Sequence, residues 1–150
     1  MSFDFLLKDL NNNLTQKSIG TDRGLAKIGD SIVNLTYSIA KSIVLTRNSK
    51  NNKSIRTGLK VSKTILANAL KEADMKPFSR SRADAHDLAD TVEALIAYIW
   101  FTKKMSMEDI INFLVDSLNS NLTVRNEEIR NATIAFRKLL IEIKKYLPES

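Results

Sequence analysis

Residues 25–46 carry apolar side chains at the spacing of an α-helix, and no other feature limits the fold as much. Leu25, Ile28, Ile32, Leu35, Ile39 and Ile43 recur every three or four positions and so form one stripe. Val33, Tyr37, Ala40 and Val44 widen that arc. A helix that is apolar over most of its girth belongs in the middle of a fold, with neighbours on several sides. Nothing in the chain alternates with the period of a strand for long. The 4 Gly and 2 Pro among 150 residues also leave little for the turns of a sandwich or barrel. The expectation is an all-α protein forming a single domain over residues 1–150, a length that holds one hydrophobic core.

Punctuation along the chain divides it into further helices. Residues 3–10 read as a short amphipathic helix ended by Asn11-Asn12-Asn13. Residues 47–56, rich in Asn, Ser and Lys, read as an exposed loop. Residues 61–73 form a helix with Ile65, Leu66, Ala69 and Leu70 inward, broken by Lys76-Pro77-Phe78. Ser81-Arg82-Ala83-Asp84 has the form of a capping box and predicts a helix over 82–103. Ser106-Met107-Glu108-Asp109 repeats the signal for a helix to 118. Thr123 is expected to cap the last helix. Its Glu127 and Glu128 fall in the first turn and its Lys144 and Lys145 in the last, as the helix dipole favours.

A net charge of +6 and a pI near 9.6 suit a polyanionic partner, nucleic acid ahead of an anionic membrane. With no Cys, disulfides and thiolate metal sites are excluded. No apolar run is long enough to span a bilayer, and the amino terminus lacks the zones of a secretion signal. The expected setting is cytoplasmic, with no membrane partner.

One stretch runs against its surroundings. Leu88-Ala89-Asp90-Thr91-Val92-Glu93-Ala94-Leu95 sets two carboxylates one helical turn apart within a segment that otherwise reads as buried. Two such anions repel unless a cation or a proton lies between them. On a helical wheel Ala85, Leu88, Val92, Leu95, Ile96 and Ile99 gather on the expected core side. Asp90 and Glu93 fall opposite, with His86, Ala94 and Ala97.

In the first long helix Asp30 lies across from Ile28, Leu35 and Ile39, on the face of Ala26, Lys27, Asn34 and Lys41. Gly29 costs a helix about 1 kcal/mol relative to Ala but permits a tight crossing. If the two helices cross near Gly29 and Ala94, Asp30 joins Asp90 and Glu93. From the residues alone the bland reading also stands: such acids commonly belong to a solvated face, and a lone His86 to an ion pair.

The same residues resemble a known family. Leu88 to Leu95 is similar to the second signature of the ribonuclease III endonuclease domain, whose Asp and Glu fall on Asp90 and Glu93. Ile28-Gly29-Asp30-Ser31-Ile32 resembles the end of the first signature, whose Asp falls on Asp30. Val61-Ser62-Lys63 through Ile65-Leu66-Ala67 is similar to the intermediate helix. Arg23-Gly24-Leu25-Ala26-Lys27 departs from the usual Glu-Arg-Leu-Glu-Phe, so an acidic ligand becomes Ala26, and the pattern approaches the compact Mini-III branch.

The resemblance implies a helical-bundle endonuclease domain acting as a two-fold homodimer. It implies hydrolysis of phosphodiester bonds in double-stranded or structured RNA, leaving 5′-phosphate and 3′-hydroxyl ends. Mg2+ or Mn2+ would be held by Asp30, Asp90 and Glu93, with Asn34 a candidate to add a carbonyl oxygen. RNA would meet basic side chains, for which Arg47, Lys50, Lys53, Arg56, Arg80 and Arg82 are the candidates. Ala26 keeps a second reading open, a catalytically inactive relative that binds structured RNA or a ribonucleoprotein. A helical protein–protein adaptor is the third reading.

Overall fold

The computed structural model describes residues 3–51, 53–119 and 121–150, and every regular element among them is a helix. Two 3-10 turns, Asp4–Leu7 and Leu10–Asn13, precede α1 (Gln16–Gly20), α2 (Arg23–Arg47) and α3 (Lys63–Glu72). A third 3-10 turn, Lys76–Phe78, leads to α4 (Ala85–Phe101), α5 (Met107–Ser117) and α6 (Arg125–Lys144). The all-α expectation holds.

Helix α4 is the axis of the fold. Residues 91–99 are all buried, because α1, α2, α3 and α6 pack around it. Ala94 and Ala97, opposite the expected core side, are as enclosed as Leu95 and Ile99. Helices α5 and α6 complete the bundle, α5 against α2 and α6 against α3.

Capping boxes start three of the helices: Thr15 with Ser18, Asp84 with Asp87, and Ser106 with Asp109. Asp84 therefore begins α4, not Ser81. Arg82 has φ 57°, a left-handed conformation that no α-helix accommodates, so the helix starts at Ala85. Thr123 does not cap α6; Val124 is the N-cap and makes no side-chain cap bond. The amino-terminal segment winds into 3-10 turns in place of an α-helix.

The face that α2 presents to the core also differs from expectation. Leu25 and Ile32 of the expected stripe are buried, but Ile28 (39%), Leu35 (50%) and Ile39 (37%) are exposed, while Ala26, Gly29, Val33, Thr36, Tyr37, Ala40 and Val44 are buried. The cause is the crossing with α4. A Cβ on Gly29 would overlap the backbone carbonyl of Glu93, so only the face with small residues comes that close.

After α2 the chain returns as an extended strap. The N–H groups of Ile55, Thr57, Leu59 and Val61 donate in turn to Thr46 Oγ1 (2.9 Å), Ser42 Oγ (3.0 Å), Ser38 Oγ (3.0 Å) and Asn34 Oδ1 (2.7 Å). Four residues of helix advance about 6 Å, and two of extended chain about 6.6 Å, so helix and strap stay in register. The segment expected as an exposed loop thus ends in an ordered run along α2; its Asn52 lies outside the described residues.

Candidate active site

Asp30 from α2 and Asp90 and Glu93 from α4 line one cleft of about 390 Å³. The crossing at Gly29 brings them together: the residue that meets the Glu93 backbone is followed at once by Asp30. Glu93 is 5% exposed. Its pKa is pushed up to about 8, first by burial, then by a hydrogen bond with Asp30 and by the charges of Asp30 and Asp90; Lys63 pulls it back in part. Two carboxyls hydrogen-bond only through a proton, so Glu93 donates to Asp30.

Asp90 faces Lys63 and His86. Lys63 Nζ lies 4.0 Å from Asp90 Oδ1, and His86 Nε2 3.5 Å from Asp90 Oδ2. The same Nζ is 2.6 Å from His86 Nδ1. An ammonium only donates, so Nδ1 accepts and the ring proton sits on Nε2, towards Asp90. His86 thus lies against Asp90, the neighbour that its spacing suggested, and meets it with a ring N–H. Asn34 is not available as a ligand. Its Oδ1 accepts from Val61 N–H, and its Nδ2 donates to Asp30 Oδ1 at 3.1 Å.

Carboxylate oxygens are the donors a hard divalent cation takes. Mg2+ needs only one or two of them, waters filling the remaining positions. Asp30 and Glu93, brought together in the cleft, fit that demand. Among the described residues no group of three or more His, Asp or Glu side chains is arranged to hold a metal ion. Asp90, on the same cleft, turns to Lys63 and His86.

The ribonuclease III family model matches residues 23–149, from the first residue of α2 almost to the end of the chain. The chain belongs to the ribonuclease III family. No curated protein matches it. Membership of the ribonuclease III family supports a nuclease acting on RNA.

Within this ribonuclease III domain, the cleft contains Ala26 where the resemblance expects an acid. Its rim is cationic: Arg23, Lys27, Lys60 and Lys63. None of these was among the basic candidates read from the sequence. Arg23 and Lys27 were legible, since they lie two turns and one turn before Asp30 on its face of α2. Lys60 and Lys63 arrive through the strap, which no periodicity announces. Of the six candidates, Arg47 and Arg56 line a separate groove between α2 and the strap. Arg80 pairs with Asp87 at 2.7 Å. Lys50, Lys53 and Arg82 are exposed. No helix among the described residues is long and apolar enough to cross a membrane.

Proposed function

We propose that this protein is a metal-dependent endoribonuclease that cleaves double-stranded or structured RNA as a homodimer. The observation that carries the reading is the convergence of Asp30, Asp90 and Glu93 in one cleft with a cationic rim. Asp30 and Glu93, with Asp90 beside them, would hold Mg2+ or Mn2+. Such a cation supplies Lewis-acid stabilisation of the phosphoryl oxygens and lowers the pKa of water. The chain's own side chains do the rest. Arg23, Lys27, Lys60 and Lys63 bind phosphates of the duplex and orient the scissile one over the acids, as suits a helix recognised by shape and backbone. Water adds to phosphorus and the P–O3′ bond breaks, which leaves a 5′-phosphate and a 3′-hydroxyl.

Labelled duplex RNA incubated with and without Mg2+ or Mn2+ tests this. Cleavage is expected with metal, none in chelator, and a loss of at least ~100-fold in Glu93→Ala, the lower end of the range for removing one electrostatic group. Cleavage that survives in chelator would sink the metal-dependent reading. The buried methyl of Ala26 favours one alternative, a relative that binds structured RNA without cutting it. Duplex binding without cleavage in either metal selects that alternative. Ala26→Glu, which restores an acid to the cleft wall, is then expected to bring cleavage up from background.

A further inference from the structure

The polar ladder on α2 ends inside the candidate active site. Ser38, Ser42 and Thr46 each hold the strap and touch nothing in the cleft. Asn34 is the rung that does both. Its carbonyl oxygen takes the N–H of Val61 at 2.7 Å, and its amide nitrogen donates to Asp30 Oδ1 at 3.1 Å. Neither end of an amide can turn over without losing both bonds, because donor and acceptor would then face their own kind. Val61 lies between Lys60 and Ser62, the N-cap of α3, whose first residue is Lys63. One side chain therefore fixes an acid on the floor of the cleft and the segment bearing two cations of its rim.

We infer that Asn34 is a positioning residue, which holds the Asp30 carboxylate in its metal-binding orientation and keys that orientation to the register of the strap. The inference rests on the nuclease reading for the identity of the bound ion. Partners that orient a ligand contribute about 10–100-fold to metal affinity or activity. The other rungs, which steady the strap alone, contribute nothing to metal affinity.

The experiment is Mn2+ titration by calorimetry without RNA, followed by steady-state cleavage of duplex RNA, on the wild type, Asn34→Leu and Ser38→Ala. Asn34→Leu keeps the bulk and removes both bonds. It is expected to weaken Mn2+ binding ~10–100-fold and to lower kcat/KM for the duplex with it. Ser38→Ala is expected to match the wild type in Mn2+ affinity. Asn34→Ala, which keeps neither bond, serves where Asn34→Leu fails to fold and should show the same loss. Wild-type affinity in a folded Asn34 variant overturns the inference. So does an equal loss in Ser38→Ala, which would make the ladder as a whole a structural support. Wild-type protein that binds Mn2+ but leaves RNA uncut removes the nuclease reading and leaves Asn34 judged on affinity alone. Wild-type protein that binds no Mn2+ removes both.

Discussion

The proton between Glu93 and Asp30 makes stability depend on pH in a direction opposite to that of most carboxylates. Glu93 titrates near 8 in the folded protein, against 4.5 ordinarily, because burial and two neighbouring acids disfavour its anion. Between those values the folded chain holds a proton that the unfolded chain has released. The stabilisation is therefore complete below the lower value and is lost as pH rises through the upper one. In chelator, the urea midpoint is expected to fall between about pH 5 and pH 9, and Glu93→Gln, which cannot ionise, should flatten that fall. Mn2+ should reverse it, since the cation takes over the work of the proton. A wild-type profile already flat in chelator would mean that the two carboxyls do not share a proton. The acids themselves were legible in the sequence through their spacing and through Gly29. Their protonation was not, because it depends on how completely α2 covers Glu93.

At the scale of the elements, the crossing of α2 and α4 does most to set the site. Gly29→Ala places a methyl against the Glu93 backbone, which cannot swing aside as a side chain does. A loss of about 1–3 kcal/mol in chemical denaturation is expected, with weaker metal binding, because the helices must separate. Stability unchanged by Gly29→Ala would mean that the helices do not touch there.

Further along α2, on the face of Asp30, buried Glu128 of α6 accepts from Tyr37 (2.9 Å) and Arg125 (3.2 Å) and pairs with Lys41 at 2.8 Å. Burial pushes the Glu128 carboxyl up, but the bonds from Lys41 and Tyr37 outweigh that and hold it below its usual range. Burial and the facing carboxylate raise the Tyr37 phenol. Glu128→Ala leaves the largely buried Lys41 without its partner, and ~3–5 kcal/mol of stability should go with it. Lys41→Met with Glu128→Leu is expected to recover most of the loss. If the double variant is no better than the single, the network is not what joins α2 to α6 at that point.

These elements mark where reading the sequence stops. Helices α3 and α5 were legible because each has one apolar face and a clear cap. The orientation of α2 was not, because apolar residues occupy both sides and hydrophobicity alone allows two rotations. Gly29 held the answer, since the glycine must face the closest neighbour, but its weight shows only once that neighbour is known. Glu128 read as a helix-dipole residue for a similar reason. Periodicity places it in the first turn of α6 and is silent about Lys41, far away in the chain.

For the whole molecule, the misread stripe becomes the informative surface. Ile28, Leu35 and Ile39 lie along one side of α2, exposed and spaced seven and four residues apart, so they align on a straight helix. Leu6, itself exposed, shares a groove with Ile28 and extends the apolar strip towards the amino terminus. A monomer gains nothing from such a strip, whereas a two-fold axis buries both copies at once, because an isologous contact matches a surface with itself. The homodimer proposed with the nuclease reading would form here. Leu35→Glu with Ile39→Glu puts four carboxylates into that contact, two per copy. Sedimentation at micromolar concentration is expected to shift from dimer to monomer while the helical circular dichroism stays unchanged. Duplex cleavage should fall with it, since an A-form helix spanning two clefts needs both, yet Mn2+ affinity per chain should persist because every ligand comes from one copy. A wild-type chain that sediments as a monomer would sink the two-fold arrangement. A double variant that stays dimeric would move the contact to another face.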